Sequence, residues 1–100
     1  MDRVTAVARL NSCETALRAM GVESLSLFGS TARDSAGVAS DIDVVVTLPG
    51  TARGFATIGL VERIRRELTD RLGIEVDVVP EPRYSGRVKA AIDADRVRVF

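Results

Sequence analysis

Two short segments and one later acid have the residue types and spacing that could carry out phosphate chemistry. Gly29-Ser30 is followed, after ten residues, by Asp41-Ile42-Asp43, and Asp77 stands further on between two valines. On a strand, residues two apart project from the same face, so Asp41 and Asp43 would form a close carboxylate pair. Such a pair either lies on the solvated face of a half-buried sheet or binds divalent cations. Bridging carboxylates can hold two Mg²⁺ ions about 3.5–4 Å apart for in-line phosphoryl chemistry.

The Gly29-Ser30 segment adds a possible anion site ahead of these acids. A glycine at a strand end permits close backbone approach, and a Ser-Thr start to a helical turn offers N–H groups and hydroxyls to an anion. The alternative is a plain strand-to-helix turn with Ser30 as the N-cap. The spacing favours the functional interpretation, because the combined Gly-Ser and Asp-x-Asp pattern would arise by chance in roughly one such chain in a thousand.

These motifs resemble those of the nucleotidyltransferase superfamily typified by DNA polymerase beta and kanamycin nucleotidyltransferase. The resemblance is carried by Gly29-Ser30, Asp41-Ile42-Asp43 and Val76-Asp77-Val78, and it covers about three-quarters of the chain. The sequence around Arg33 looks like that of the minimal members of the superfamily, the MNT proteins. One departure is Asp34, where minimal members often have glycine.

The resemblance implies a role for each matched residue. Asp41 and Asp43 would ligate two Mg²⁺ ions, and Asp77 would bind one of them and orient or deprotonate the attacking hydroxyl. Gly29 and Ser30 would hold the β- and γ-phosphates of ATP. The reaction would be attack on the α-phosphate with pyrophosphate leaving, and it would depend mainly on positioning and charge neutralisation.

Several neighbouring residues have two interpretations. Arg33 either contacts triphosphate oxygens or is a surface arginine. The basic segment Arg83, Arg87 and Lys89 either contacts triphosphate oxygens as well or, more simply, forms a solvated helix face. Glu75 is expected to be a solvated neighbour of Asp77. The remaining expectations are packing for Tyr84 and a buried core thiol for Cys13.

Many minimal nucleotidyltransferases pair with HEPN proteins, and the resemblance implies that this chain is such an antitoxin. It would transfer AMP from ATP to a tyrosine of a HEPN RNase toxin. One alternative is transfer to a small molecule such as an aminoglycoside. Another is a non-catalytic antitoxin subunit that shields its partner, for which the apolar residues Val97, Val99 and Phe100 would offer a contact surface.

Composition is consistent with chemistry based on carboxylates and metal ions. The 100 residues contain no histidine and a single cysteine, which excludes a Ser-His-Asp triad, a His-bearing zinc site and an intrachain disulfide. Fourteen Lys and Arg balance fourteen Asp and Glu, so no direct nucleic-acid binding is expected. The sequence shows no secretory signal or membrane span, and these features predict a single domain, 1–100, in the cytoplasm.

The elements that must position the motifs follow from the apolar periodicity. An α/β (α+β) nucleotidyltransferase fold is predicted, with a small mixed sheet of three strands, or of four if the chain end adds one, flanked by helices. The acids would open the second strand and lie within the third. The expected helices cover about 4–20 and 57–72 with a short one after Gly86, and the expected strands cover 24–28, 41–48 and 74–79 with an extended end at 97–100.

Overall fold

The structure, a computed structural model, describes residues 1–33, 41–50, 54–82 and 85–100. Two helices come first, and strands and helices alternate after them. The helices are α1 (Arg3–Asn11), α2 (Glu14–Ala19), α3 (Gly29–Ala32), α4 (Phe55–Leu72) and α5 (Arg87–Asp95). The strands are β1 (Ser24–Phe28), β2 (Ile42–Thr47), β3 (Val76–Pro80) and β4 (Val97–Arg98).

The four strands form one mixed sheet in the order β3-β2-β1-β4. Strand β1 runs antiparallel to both β2 and β4, whereas β2 and β3 are parallel. This confirms the predicted mixed α/β architecture, with the end of the chain supplying a fourth strand. No helix within the described ranges is long and apolar enough to cross a membrane.

One face of the sheet carries the main hydrophobic core. The register pairs Leu27 with Val44 and Ile42 with Val76, and all four side chains are fully buried. Each such side chain contributes about 1.5–3 kcal/mol of transfer free energy. Helices α1, α2 and α4 cover this face with a continuous apolar stripe; its buried members are Ala6, Leu10, Cys13, Leu17, Ile64, Leu68 and Leu72.

The opposite face of the sheet is also partly covered. Ser26 and Val45 are neighbours across β1 and β2, and both are buried. Helix α5 contacts β1, and its buried side chain, Ile92, lies outside the main core cluster. The acidic end of this face is therefore bordered by packed structure.

The prediction of one helix over 4–20 was wrong, because the segment divides into α1 and α2. The Ser12 hydroxyl donates a hydrogen bond to the Arg9 carbonyl at 2.6 Å. The Cys13 N–H bonds to the Leu10 carbonyl, one residue closer than in an α-helix. Side chains such as serine compete with the regular ladder in this way. Cys13 is buried as predicted, so the apolar stripe continues across the break.

The end of the chain completes the sheet instead of forming an exposed apolar surface. Strand β4 pairs with β1, and Phe100 is buried in the main core. The Arg18 guanidinium lies 5.1 Å from the centroid of the Phe100 ring, which adds a cation–π contact. The predicted extended end is thus an edge strand, and the alternative in which it forms a free docking surface loses its support.

Candidate functional site

The parallel register of β2 and β3 brings two of the predicted acids together. Asp43 is the direct partner of Asp77, and the two residues occupy the same face of the sheet. Asp41 lies one residue before β2. Asp41 and Asp77 are exposed, and Asp43 is half-buried. We call these three residues the acidic edge, and two of its three side chains are exposed to solvent.

Asp43 is the electrostatic centre of the acidic edge. Burial raises the pKa of its carboxyl above the usual value, and the Asp77 and Asp41 carboxylates raise it further. The Arg33 guanidinium partly opposes this by lowering the Asp43 pKa. The ionised form of Asp43 is thus destabilised by two like charges, which is a condition that a bound cation would relieve.

Gly29 allows the Asp43 carboxylate to lie against the backbone at the end of β1. Its φ of +75° is in the left-handed region, which favours glycine. A Cβ added there would lie 2.5 Å from Asp43 Oδ2 and 3.3 Å from its Cγ. Both the backbone conformation and the space at this position therefore require glycine, and they link the Gly-Ser segment to the acids.

The residues of the acidic edge fit a hard divalent cation. Carboxylate oxygens are ligands that Mg²⁺ prefers, and Asp43 and Asp77 are neighbours on adjacent strands. Within 1–33, 41–50, 54–82 and 85–100, no three acid or cysteine side chains already form a ligand set. Like charges favour separated carboxylates, so a shared ion would require rotation of these side chains. Metal ligation by Asp41, Asp43 and Asp77 therefore stays a prediction.

The short helix α3 begins at Gly29, contains Ser30 and ends just before Arg33. The N-cap of α3 is Phe28, so the interpretation of Ser30 as the N-cap was wrong. Ser30 is the second residue of this helix. Arg33 follows its end and forms an ion pair with Asp95, at 2.6 Å between Nη1 and Oδ2. The structure thus places both residues beside the acidic edge without testing their roles in binding phosphates.

A family model for the nucleotidyltransferase domain matches residues 10–98. The chain belongs to this nucleotidyltransferase family. A solved structure described as a minimal nucleotidyltransferase is 26% identical, with a TM-score of 0.73, over 97% of this chain and 95% of its own. The resemblance to minimal nucleotidyltransferases is therefore confirmed. No curated protein matches the chain.

Two toxin–antitoxin complexes share the fold of this nucleotidyltransferase. A chain of a toxin–antitoxin complex with AMP-PNP is 22% identical, with a TM-score of 0.67, over 90% of this chain and 71% of its own. A chain of the complex between a tri-AMPylated HEPN toxin of Shewanella oneidensis and its MNT antitoxin is 21% identical, with a TM-score of 0.63. It covers 93% of this chain and 70% of its own. At these identities the two complexes show the shared fold alone.

Two features of the segments around the acidic edge are not predicted by the sequence. Asp95 lies 62 residues from its ion-pair partner Arg33, and no local pattern links the two. Thr31 is buried, and its Oγ1 has no hydrogen-bond partner among the described residues. The adjacent Gly-Ser motif could have drawn attention to Thr31, whereas Asp95 could be found only from the fold.

Other predicted neighbours lie apart from the acids or are occupied elsewhere. Glu75 forms an ion pair with Arg65 of α4 at 2.9 Å, so it is not simply a solvated neighbour of Asp77. Lys89 contacts Glu81 and Asp93 at 3.7 and 3.4 Å, and Arg87 is exposed. These contacts support the solvated helix face for the basic segment. The remaining predicted neighbours, Asp34, Arg83 and Tyr84, lie outside the described residues.

A cavity of about 360 Å³ lies beside the first half of α4. It is lined by Thr57, Ile58, Val61, Glu62 and Pro80. None of the predicted site residues lines it, so the acidic edge and this cavity are separate features.

Replacing Asp43 by asparagine should stabilise the protein at neutral pH in the absence of divalent cations. The pKa of the Asp43 carboxyl is higher in the folded protein than in the unfolded chain, so its ionisation lowers the free energy of unfolding. This loss grows as the pH rises from the pKa of the unfolded state to that of the folded state, and it remains in full at higher pH. Urea unfolding in EDTA should give a higher free energy of unfolding for Asp43→Asn than for the wild type at pH 7. This difference should disappear near pH 3. Asp70→Asn, at an exposed position of α4, is the matched control, and equal responses of the two variants would contradict the account.

Replacing Gly29 by alanine should destabilise the protein. A left-handed backbone costs a non-glycine residue about 1–2 kcal/mol, and the new methyl group would also displace the Asp43 carboxylate. Gly59→Ala is the control, because a Cβ there meets nothing within 4 Å and alanine favours a helix by about 0.5–1 kcal/mol. Urea unfolding should thus give opposite signs for the two variants. An unchanged free energy of unfolding in Gly29→Ala would show that the close approach of the Gly29 backbone to the Asp43 carboxylate is unimportant for stability.

Proposed function

We propose that this nucleotidyltransferase transfers AMP from ATP to a protein hydroxyl, and that the acceptor is a tyrosine of a HEPN RNase toxin that it neutralises. The observation that carries the proposal is the pairing of Asp43 with Asp77 next to Gly29. The family match supports nucleotidyl transfer in general. The fold shared with toxin–antitoxin complexes, one of which holds a tri-AMPylated HEPN toxin, supports the finer assignment.

Each residue of the acidic edge has a part in the proposed reaction. Asp41 and Asp43 would hold two Mg²⁺ ions, with Asp77 as a further ligand. When bound, the ions supply neutralisation of the triphosphate charge. Asp77 would also orient the acceptor hydroxyl and accept its proton, and its exposure and its position next to Asp43 support this role.

The bonds made and broken are those of an in-line displacement at the α-phosphorus. The acceptor oxygen forms a bond to this phosphorus while the bond to the β-phosphate oxygen breaks, and pyrophosphate leaves. Gly29 and Ser30 would hold the β- and γ-phosphates through backbone N–H and hydroxyl contacts. Most of the rate enhancement would come from this positioning and from electrostatic stabilisation.

A macromolecular acceptor suits the open position of the acidic edge. Asp41 and Asp77 are exposed, so a tyrosine on the surface of another protein could approach Asp77 directly. An acceptor hydroxyl presented by a folded partner would already be oriented, which lowers the entropic cost of reaching the transition state.

Incubation with α-labelled ATP, Mg²⁺ and the candidate HEPN protein should transfer label to a tyrosine of that protein. Asp43→Asn should reduce the rate by at least about 10²-fold, which is the usual effect of removing one electrostatic contact to the transition state. Glu75→Gln is the matched control, because it removes a carboxylate two residues from Asp77 that is paired with Arg65 instead. Its rate should stay close to that of the wild-type protein.

Three outcomes would contradict the proposal. The first is absence of transfer by the folded wild-type protein, and the second is transfer unaffected by Asp43→Asn. The third is neutralisation of the toxin by folded Asp43→Asn, which would favour a non-catalytic antitoxin. Label found on an aminoglycoside and not on the HEPN protein would favour the small-molecule alternative.

A further inference from the structure

The ion pair between Arg33 and Asp95 joins two parts of the chain that are distant in sequence. Arg33 follows α3, and Asp95 is the last residue of α5. The distance from Nη1 to Oδ2 is 2.6 Å, which is short for a charge-assisted hydrogen bond. The Asp95 side chain is 23% exposed and that of Arg33 is 52% exposed. The carboxylate is thus the enclosed member of the pair and the guanidinium is the accessible one.

Asp95 is held in place by the packing and ion pairs around α5. Ile92 of the same helix is buried. The next residue after Asp95, Arg96, forms an ion pair with Glu81 at 2.7 Å. The Glu81 N–H in turn bonds to the carbonyl of Val46, which belongs to β2. The end of α5 that carries Asp95 is therefore linked to β2, the strand that carries Asp43.

Part of the Arg33 guanidinium makes no hydrogen bond within the part of the chain that the structure describes. An arginine has five N–H donors in a rigid planar fork, and the bond to Asp95 uses Nη1. Its Nε and Nη2 make no hydrogen bond to another described residue. The Arg33 charge also acts on Asp43, since it lowers the pKa of that carboxyl. Arg33 therefore lies within electrostatic range of the acidic edge while Asp95 holds one side of its fork.

We propose that Asp95 is a positioning residue that orients Arg33 toward the triphosphate of the nucleotide bound beside Gly29 and Ser30. This inference rests on the proposed function. A planar guanidinium fixed on one side by a carboxylate presents its remaining donors in one direction, which suits bidentate contact with phosphate oxygens. Without Asp95, the flexible Arg33 side chain would have to be ordered by the nucleotide itself.

Loss of Asp95 should weaken nucleotide binding without unfolding the protein. A partly exposed ion pair contributes little to stability, so the variant should fold. Ordering one rotamer-rich side chain on binding corresponds to roughly a 2- to 12-fold change in Kd. The effect should therefore be visible in affinity while the thermal midpoint changes little.

The experiment is calorimetric titration of the full chain with α,β-methylene ATP and Mg²⁺. Asp95→Asn should raise the Kd roughly 2- to 12-fold, and Asp95→Glu, which keeps the carboxylate, should recover part of the loss. Asp93→Asn is the matched control. It removes a carboxylate from the same helix that pairs with Lys89 and Arg96 and not with Arg33, so its Kd should equal that of the wild type.

A double-mutant cycle separates positioning from a structural role. If Asp95 acts through Arg33, then Asp95→Asn should have no further effect on Kd in an Arg33→Ala background. The inference would be overturned if Asp95→Asn raised the Kd by the same factor in the wild-type and Arg33→Ala backgrounds. It would also be overturned if Asp95→Asn alone had a Kd equal to or lower than that of the wild type. Failure of the folded wild-type protein to bind the analogue would refute the proposed function together with this inference, whereas the other outcomes leave the proposed function intact.

Discussion

Carboxylates that lie side by side on neighbouring strands repel each other, and this repulsion is built into the sheet of this protein. The parallel register of β2 and β3 makes Asp43 and Asp77 direct neighbours, and Asp41 adds a third charge. Aspartate is also a poor strand former, so these residues add nothing to the stability of the sheet. The rest of the fold must supply the stability that keeps the two strands in this register.

That stability comes mainly from the other side of the same strands. Ile42, Val44 and Val76 alternate with the acids and are fully buried under the helices. A shift of one residue between the strands would turn this apolar row away from the core, so the hydrophobic pattern fixes the register. The carboxylates are thus held together by burial of their neighbours, and a functional arrangement is maintained at the cost of local repulsion.

The space around Asp43 is shaped by the segment that follows β1 and by α5. Gly29 lets the carboxylate lie against the turn after β1, since any side chain there would overlap it. Arg33 partly compensates the negative charge, and α5 fixes Arg33 through Asp95. Each contact is non-local, so the site exists only when the sheet and both of its faces are assembled.

The sequence could predict those parts of the fold that depend on local pattern. Alternation of apolar residues correctly predicted the strands around Phe28, Asp43 and Asp77, and the motif spacing correctly predicted the family. The break between α1 and α2 was missed, because the apolar stripe continues through Cys13 while the backbone hydrogen bonds change. The ion pair of Arg33 with Asp95 was missed because it depends on how α5 packs on the sheet. The roles of the site residues themselves stay predictions.

The central claim is that the acidic edge binds divalent cations together with a nucleoside triphosphate. The most direct measurement is the free Mn²⁺ signal in electron paramagnetic resonance during titration of the protein with α,β-methylene ATP, compared with the signal of the same nucleotide and Mn²⁺ concentrations without protein. We expect saturable Mn²⁺ binding by the complex of the protein with the nucleotide. This binding should be lost in both Asp43→Asn and Asp77→Asn, and Asp70→Asn should bind Mn²⁺ as the wild type does. Equal Mn²⁺ binding by the wild type and the two site variants would contradict it.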